Sequence, residues 1–274
     1  MEKLIDEAKK GNNRAFHELF ENYRTPLESF VYRLTTDREE TKDILQDVYI
    51  KASQNLEGFK GNTDASIKSW LFTIAANHTK NILNKKSRWQ VMAQDQCRDS
   101  LVHSPQNQNN LISAINSSPL SQYEFTEHID FCFTCISKTI PLGQQLTLIL
   151  KNIYGFKVQE IAQILDVSIP KVKHFLHQAR KTLARIYQHR CSLVNKKGVC
   201  YQCDELNELF KGKHSSTPLA KKLGNTNKKT TSAAEAIKLR TQLIKAIHPL
   251  KAGGTDLHHY LMEHLKKVND YDQH

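Results

Sequence analysis

The chain has 274 residues, with 39 Lys and Arg against 28 Asp and Glu, a formal charge of +11. That length holds one large domain or two to three small ones and excludes peptide-sized scaffolds, while the cationic excess points to a polyanionic partner rather than to a neutral secreted enzyme. No stretch approaches the ~18 apolar residues of a spanning helix and the opening MEKLIDEAKK is too charged for a secretory signal, so a cytoplasmic protein without membrane insertion is expected, its six Cys being metal ligands, redox groups or core residues rather than a disulfide framework.

With 10 Gly and 7 Pro the composition favours helices. From Phe16 onward the apolar residues Leu19, Phe20, Tyr23, Leu27, Phe30, Val31 and Leu34 recur three and four apart, which predicts a helix that Pro26 kinks or splits. Thr36, followed by Glu39, reads as the capping-box start of a second helix through DILQDVYIKASQNL, stopping at Gly58, with Ile44, Val48 and Ala52 buried. Asp43, Gln46 and Asp47 lie on a different face and remain open to a partner. After the loop GFKGNTDAS a third helix, IKSWLFTIAANHTKNILNKK, becomes basic toward its end.

Residues 90–122 are dense in Gln, Asn and Ser, hold no sustained period and read as a linker. A second helical set follows: YEFTEHIDFCFTCISKTI, GQQLTLILKNIYG, VQEIAQIL and PKVKHFLHQARKTLARIYQHR. Between the last two, Asp166 to Ser168 form a short turn. Ser168 is placed to cap the final helix, and Pro170 sits where the amides have no internal partner, which is a helix-turn-helix pattern. Beyond a Cys-rich stretch and a basic Ser/Thr/Asn/Lys linker, SAAEAIKLRTQLIKAI and DLHHYLMEHLKKV form a last helical pair hinged at Gly253 and Gly254.

Charge is distributed unevenly. Residues 1–60 are slightly acidic, whereas 61–90 and 151–190 are strongly basic, so the chain offers two separated contact points for an extended polyanion. In the last helix of the second set Val172, Leu176 and Ala179 face inward, while Lys171, Lys173, His174, His177, Gln178 and Arg180 include the outward face. Amides and guanidinium groups suit base edges in a major groove and Lys suits phosphates; a generic amphipathic helix with a solvated basic face is the competing reading. In the third helix Trp70, Ile74, Asn77 and Asn81 share a face followed by Lys80, Lys85, Lys86 and Arg88, a mixture that suits unstacked single-stranded bases, against a core role for Trp70 and Phe72.

In this order the stretches AFHELFENYRTPLESFVYRL, DILQDVYIKASQNLEGFKG, SWLFTIAANHTKNILNKKSR and IPLGQQLTLILKNIYGFKVQEIAQILDVSIPKVKHFLHQARKTL resemble the extracytoplasmic-function group of bacterial sigma-70-type RNA polymerase initiation factors. The resemblance spans residues 8 to 188. It implies an all-α chain of two small helical domains: region 2, a three- or four-helix bundle over 1–90, and region 4, a helix-turn-helix domain over 123–190. A polar linker over 91–122 joins them, and a Cys-rich segment over 191–212 and a basic linker with a helical tail over 213–274 follow. It further implies that Asp43, Gln46 and Asp47 dock on the clamp helices of core RNA polymerase. Asn62, Thr63, Ser66 and Trp70 would capture an unpaired base of the melted minus-ten element. Asn77, Lys80, Asn81, Lys85 and Lys86 would meet promoter DNA, and Ser168, Lys171, Lys173, His174, His177, Gln178 and Arg180 would serve the minus-thirty-five duplex. Asn81 stands where the family usually has Asp, Phe175 where Arg is common, and Asp166 and Pro170 where Gly is frequent, so promoter preference does not carry over.

The implied partners are core polymerase, double- and single-stranded promoter DNA and an anti-sigma protein, in the cytoplasm and on the nucleoid when active. No enzymatic step and no required cofactor is expected. His128, Cys132 and Cys135 have ligand-like spacing, but Cys132 also belongs to the apolar stripe Phe125, Ile129, Cys132, Ile136 and reads as core. Cys191, Cys200 and Cys203, with His189, leave two readings open: a structural zinc or redox-linked site, or a packed small hairpin. In the tail, His258, His259, Glu263 and His264 flank the apolar stripe of Leu257, Leu261, Leu265 and Val268, which reads as a docking helix. Two other functions compete: a stand-alone helix-turn-helix regulator with a metal- or redox-responsive Cys segment, and a metal-dependent hydrolase, which lacks an acidic general base at fixed spacing.

Overall fold

The computed structural model describes residues 1–86, 125–190 and 255–271 throughout, and between them residues 96, 100, 104–107, 109–110, 113, 237, 241, 244–245 and 248–251. Among the described residues the elements are α1 (Glu2–Lys9), α2 (Asn13–Thr35), α3 (Arg38–Asn55), α4 (Asp64–Leu83), α5 (Phe125–Ser137), α6 (Leu142–Asn152), α7 (Val158–Leu165), α8 (Ile169–Arg190) and α9 (Thr255–Tyr271). None of these helices is long and apolar enough to cross a membrane.

Helices α1 to α4 form the first bundle. The Asn12 side chain accepts the Arg14 and Ala15 amides and starts α2. Of the kink or split that the sequence predicts at Pro26, the split does not occur, since the helix continues through that residue. Proline removes one internal hydrogen bond, but the acceptor it leaves behind belongs to Asn22, an exposed residue whose carbonyl water can serve. The start of α3 also differs from the expected Thr36 capping box. Thr36 takes the left-handed conformation, φ 58°, and closes α2; Asp37 then turns to extended backbone and its carboxylate accepts the Glu40 amide. The predicted stripe of Ile44, Val48 and Ala52 is buried.

Helices α5 to α8 form the second set, and the two sets are not spaced apart by the linker. They share one continuous apolar core. The C-terminal half of α2 carries the join: every residue from Ser29 to Thr36 is buried, leaving this part of an otherwise amphipathic helix without a solvent face. Phe30 and Phe72 of the first set meet Tyr154 and Phe156 from the α6–α7 connection, with ring centroids 4.9 to 5.7 Å apart across the join. Gly155, at φ 77°, supplies the left-handed turn between those two rings. Lys68 of α4 lies over the Phe156 ring and donates to the Tyr154 carbonyl.

At the centre of the join Arg33 of α2 pairs with Asp130 of α5, donating through Nε at 3.0 Å and through the second guanidinium nitrogen at 2.9 Å; both residues are buried. Another guanidinium nitrogen donates to the Tyr154 hydroxyl at 3.3 Å. Burial works against the Arg33 charge, and the Asp130 carboxylate together with Tyr154 outweighs it, so the pKa of Arg33 is raised rather than lowered. Beside this pair Gln145 and Lys138 of the second set donate to the carbonyls of Arg33 and Leu34, closing off the end of α2. Burial, helped by Lys266 and Lys86, pushes the Lys138 ammonium down to about 8.

The segment read as an irregular linker holds helical residues at 105–107, where Ser104 accepts the Asn107 amide and Pro105 occupies the first helical position. The C-terminal extension packs on the same junction. Ile237 and Ile244 join the shared core, His248 lies 3.1 Å from Glu28 of α2, and α9 buries Leu261, Met262 and Leu265 and packs against α5.

Burial at this junction sets two expected outcomes. Asp130→Leu strands a buried guanidinium and is expected to cost about 3–5 kcal/mol, whereas Arg33→Met/Asp130→Leu restores most of that stability; urea unfolding of both variants measures the difference. The docked tail holds His248 and His259 with lowered pKa values, chiefly through burial. Around His248, Lys251 and Arg33 lower it further and Glu28 opposes. Around His259, Arg38 and Lys266 lower it and Glu263 and Asp37 oppose. Because the docked form resists protonation, docking is at full strength above the ordinary value of 6.5 and weakens as pH falls through it. Hydrogen-exchange protection factors of α9 are expected to drop between about pH 7.5 and about pH 5.5 while those of α6 to α8 hold.

Candidate functional site

Three surfaces carry the residues singled out by the sequence. On α3, Asp43, Gln46 and Asp47 are exposed, because the buried stripe of Ile44, Leu45 and Val48 points the other way. Asp47 is steadied across the bundle by His78 of α4, whose Nε2 lies 2.7 Å from its carboxylate, and Lys51 bonds the other ring nitrogen. Ile50 is 43% exposed one turn beyond Gln46 and adds an apolar contact to this acidic face. Sequence reasoning missed both His78 and Ile50. The spacing of Ile50 from Gln46 is a usable signal, whereas nothing local links His78 to Asp47.

The second surface is the loop before α4 and the helix itself. Asn62 and Thr63 are exposed and Ser66 is half-buried. Thr63 and Ser66 cap α4 reciprocally: the Thr63 hydroxyl accepts the Ser66 amide at 3.2 Å and the Ser66 hydroxyl accepts the Thr63 amide at 3.0 Å. These two side chains therefore shape the loop, and Asn62 presents its exposed amide beside them. Tyr23 fixes the first turn by donating to the Asp64 carboxylate, and burial together with that contact raises its phenol above the ordinary range. Lys9 donates to the Gly61 carbonyl at 2.8 Å and stands over the Phe59 ring, and Phe59 packs on Trp70 at 5.0 Å. Trp70 is thus half-buried, joining the roles of core and surface that its sequence position left as alternatives. At 100° per residue Trp70, Asn77 and Asn81 share the side of α4 opposite Phe72, which faces the second helical set. Asn77 and Lys80 are half-buried; Asn81, Lys85 and Lys86 are exposed, Lys86 being paired with Glu40 at 2.7 Å.

The third surface is the helix-turn-helix of α7 and α8. Asp166 adopts the left-handed conformation, φ 50°, which explains a turn position where glycine is frequent. The Ser168 hydroxyl accepts the Lys171 amide at 3.4 Å. Val172, Leu176, Ala179 and Leu183 are buried, so α8 presents Lys171, Lys173, His174, His177 and Arg180 to solvent with Gln178 half-buried at the margin. Arg180 is also bonded to the Asn152 side chain at 3.2 Å. Phe175 packs on Gly143, where a Cβ would stand 3.0 Å from its ring, and carries the Lys171 ammonium over its face. It acts as packing in place of a charged contact.

Cys132 and Cys135 are buried in α5, and among the described residues no group of three His, Cys, Asp or Glu side chains could hold a metal ion. Cys191, Cys200 and Cys203 lie outside the described residues, as do the side chains of His128, His189 and His258. The hydrolase reading finds no assembled centre among the described residues.

Gly61 is the residue in the loop that sequence reasoning passed over. A Cβ there would lie 2.3 Å from the Ser66 hydroxyl and 2.5 Å from the Phe59 ring, so Gly61→Ala forces apart the cap and the ring that supports Trp70. The expected cost is about 1–3 kcal/mol with a shift in Trp70 fluorescence, read by thermal unfolding, whereas Asn62→Ala leaves both unchanged.

The chain matches the family profile described as Sigma-70 region 2 over residues 19–88 and that described as Sigma-70, region 4 over residues 132–183. It is 26% identical over 187 residues to the ECF RNA polymerase sigma factor SigW of Bacillus subtilis, covering 68% of this chain and 95% of that protein. It is 26% identical over 190 residues to the ECF RNA polymerase sigma-E factor of Escherichia coli, covering 66% of this chain and 90% of the relative. To the RNA polymerase sigma-H factor of Pseudomonas aeruginosa it is 23% identical over 188 residues, covering 68% of this chain and 93% of that protein. These relatives are matched over nearly their whole length, which leaves the remainder of this chain without a counterpart in them. With both regions present in the family's order on one helical scaffold, the chain belongs to the extracytoplasmic-function group of the sigma-70 family.

Proposed function

We propose that the three surfaces divide the work of a sigma factor, which directs promoter recognition and transcription initiation, between core RNA polymerase and two parts of the promoter. The observation that carries this reading is the pairing, on one chain, of an exposed acidic face on α3 with an exposed cationic face on the second helix of a helix-turn-helix. A regulator that only bound DNA would have no use for the acidic face.

Asp43, Gln46 and Asp47 contact polymerase, with Ile50 completing the patch. Lys171, Lys173, His174, His177, Gln178 and Arg180 enter the major groove of the upstream element, the amide and ring nitrogens reading base edges and the cations holding phosphates. Asn62, Trp70, Asn77, Lys80, Asn81 and Lys85 receive the separated strand, where stacking on Trp70 and neutralisation of the backbone favour the open state over the duplex. Binding at one element raises the effective concentration of the other, so the two weak contacts act together once polymerase holds both regions on the DNA. The chain itself supplies binding and orientation; bond formation belongs to polymerase.

Run-off transcription with core polymerase tests the assignment. Asp43→Lys/Asp47→Lys is expected to abolish stimulation while leaving duplex binding by α8 intact. Lys171→Ala/Lys173→Ala is expected to weaken binding to the upstream duplex and to lower the salt slope by about one for each phosphate no longer held. Full stimulation by the α3 variant would overturn the polymerase contact assigned to that face, and no stimulation by the parent chain would favour the stand-alone regulator.

A further inference from the structure

The C-terminal extension touches both sigma regions and the linker between them. On the region 2 side, His248 lies 3.1 Å from Glu28, the Ile244 carbonyl accepts from the Arg33 guanidinium at 3.4 Å, and Lys266 lies 3.2 Å from Asp37, the residue that caps α3. On the region 4 side, α9 packs against α5, the helix that supplies Asp130 to Arg33. Between them the Tyr260 hydroxyl donates to the linker carbonyl of Asn107 at 3.0 Å. Ile237 and Ile244 are 2% and 0% exposed within the core that the two regions share. The extension is therefore built into the joint, beside the buried ion pair that crosses it.

The closed arrangement limits reach. A compact chain of this length has a radius of gyration of about 19 Å and is about 50 Å across. Promoter elements centred at minus ten and minus thirty-five are separated by about 25 base pairs, or about 85 Å along the duplex at 3.4 Å per pair. With the two regions closed on each other, the α4 and α8 faces are each exposed, yet they cannot span the two elements.

We infer that the C-terminal extension is an intramolecular strap that holds region 2 and region 4 together in the free chain, and that loading onto core polymerase requires its release. The strap stands on contacts within this chain; its effect on loading rests on the proposed function. Opening costs the Arg33–Asp130 pair its dry surroundings and uncovers Ile237 and Ile244, so strap and ion pair reinforce each other. The extension has no counterpart in the shorter relatives, which places this control in the part of the chain that is its own.

The test uses the full chain. Carboxylates placed at His248 and Lys266 face Glu28 and Asp37, so His248→Glu/Lys266→Glu is expected to free the strap without touching the apolar core. Circular dichroism checks that helix content is kept, and small-angle scattering reads the opening as a radius of gyration at least about 1.2-fold larger than that of the parent chain. Adding Glu28→Lys restores the attraction at position 248 and is expected to bring the radius back toward that of the parent chain. The released variant should bind core polymerase at least about tenfold more tightly, since the competent state is no longer the minor one, and should bind an isolated minus-thirty-five duplex as the parent does. A folded variant of unchanged radius overturns the strap, and an expanded variant with unchanged polymerase affinity overturns the need for release. If no form of the chain binds polymerase, the proposed function fails, and scattering alone then decides whether the strap exists.

Discussion

The arrangement depends on a guanidinium and a carboxylate taken out of water together. Neither Arg33 nor Asp130 can stay in that interior without the other, because an isolated buried charge costs several kcal/mol and their mutual attraction, with hydrogen bonds, is what offsets it. The pair does more to specify than to stabilise. It fixes which face of α2 meets which turn of α5, while the apolar rings of Phe30, Phe72, Tyr154 and Phe156 and the buried aliphatic residues around them provide the bulk of the attraction.

From that junction the functional surfaces acquire their positions. Because α2 spends its C-terminal half inside the joint, α3 is left to present its acidic side outward, and α4 divides its circumference among the bundle, the second region and an outward side that carries Trp70, Asn77 and Asn81. The loop before α4 is shaped by a reciprocal cap and by a glycine pressed between a hydroxyl and a ring. Its hydroxyls are occupied in that cap, and an exposed amide and a half-buried indole stand at the surface. In region 4, a left-handed Asp166 sets the turn and a buried stripe holds α8 so that its cations look outward.

The same junction separates two requirements that a promoter factor must reconcile. Compactness protects apolar surface in the free chain, and reach is needed on DNA. An extension lodged in the joint, with half-buried histidines beside carboxylates and cations, stands where those two requirements meet.

Much of this is legible in the amino-acid order. Helical spacing marks the buried stripe of Ile44, Val48 and Ala52 and that of Val172, Leu176 and Ala179, and with them the outward faces opposite, since a 3.6-residue period fixes which side chains share a side. Short-range chemistry marks the Ser168 cap and the turn before it. It fails at the α2–α3 corner, where Thr36 and Asp37 compete to start one helix and the left-handed ending of the preceding helix decides in favour of Asp37. At Pro26 it does not produce a split, because the exposed Asn22 carbonyl, which loses its helical donor, can turn to water. What no local pattern contains is the meeting of Arg33 with Asp130, 97 positions away, or with Ile244. Periodicity reports that a residue faces inward and never which distant element it meets, and a buried Arg in an amphipathic helix looks like any surface Arg until its partner arrives. Sequence alone thus determined most of the helices, their faces and the family resemblance; tertiary packing decided that the two regions close on each other and that the extension packs on their junction, because burying charge and apolar surface is a property of the assembled interior.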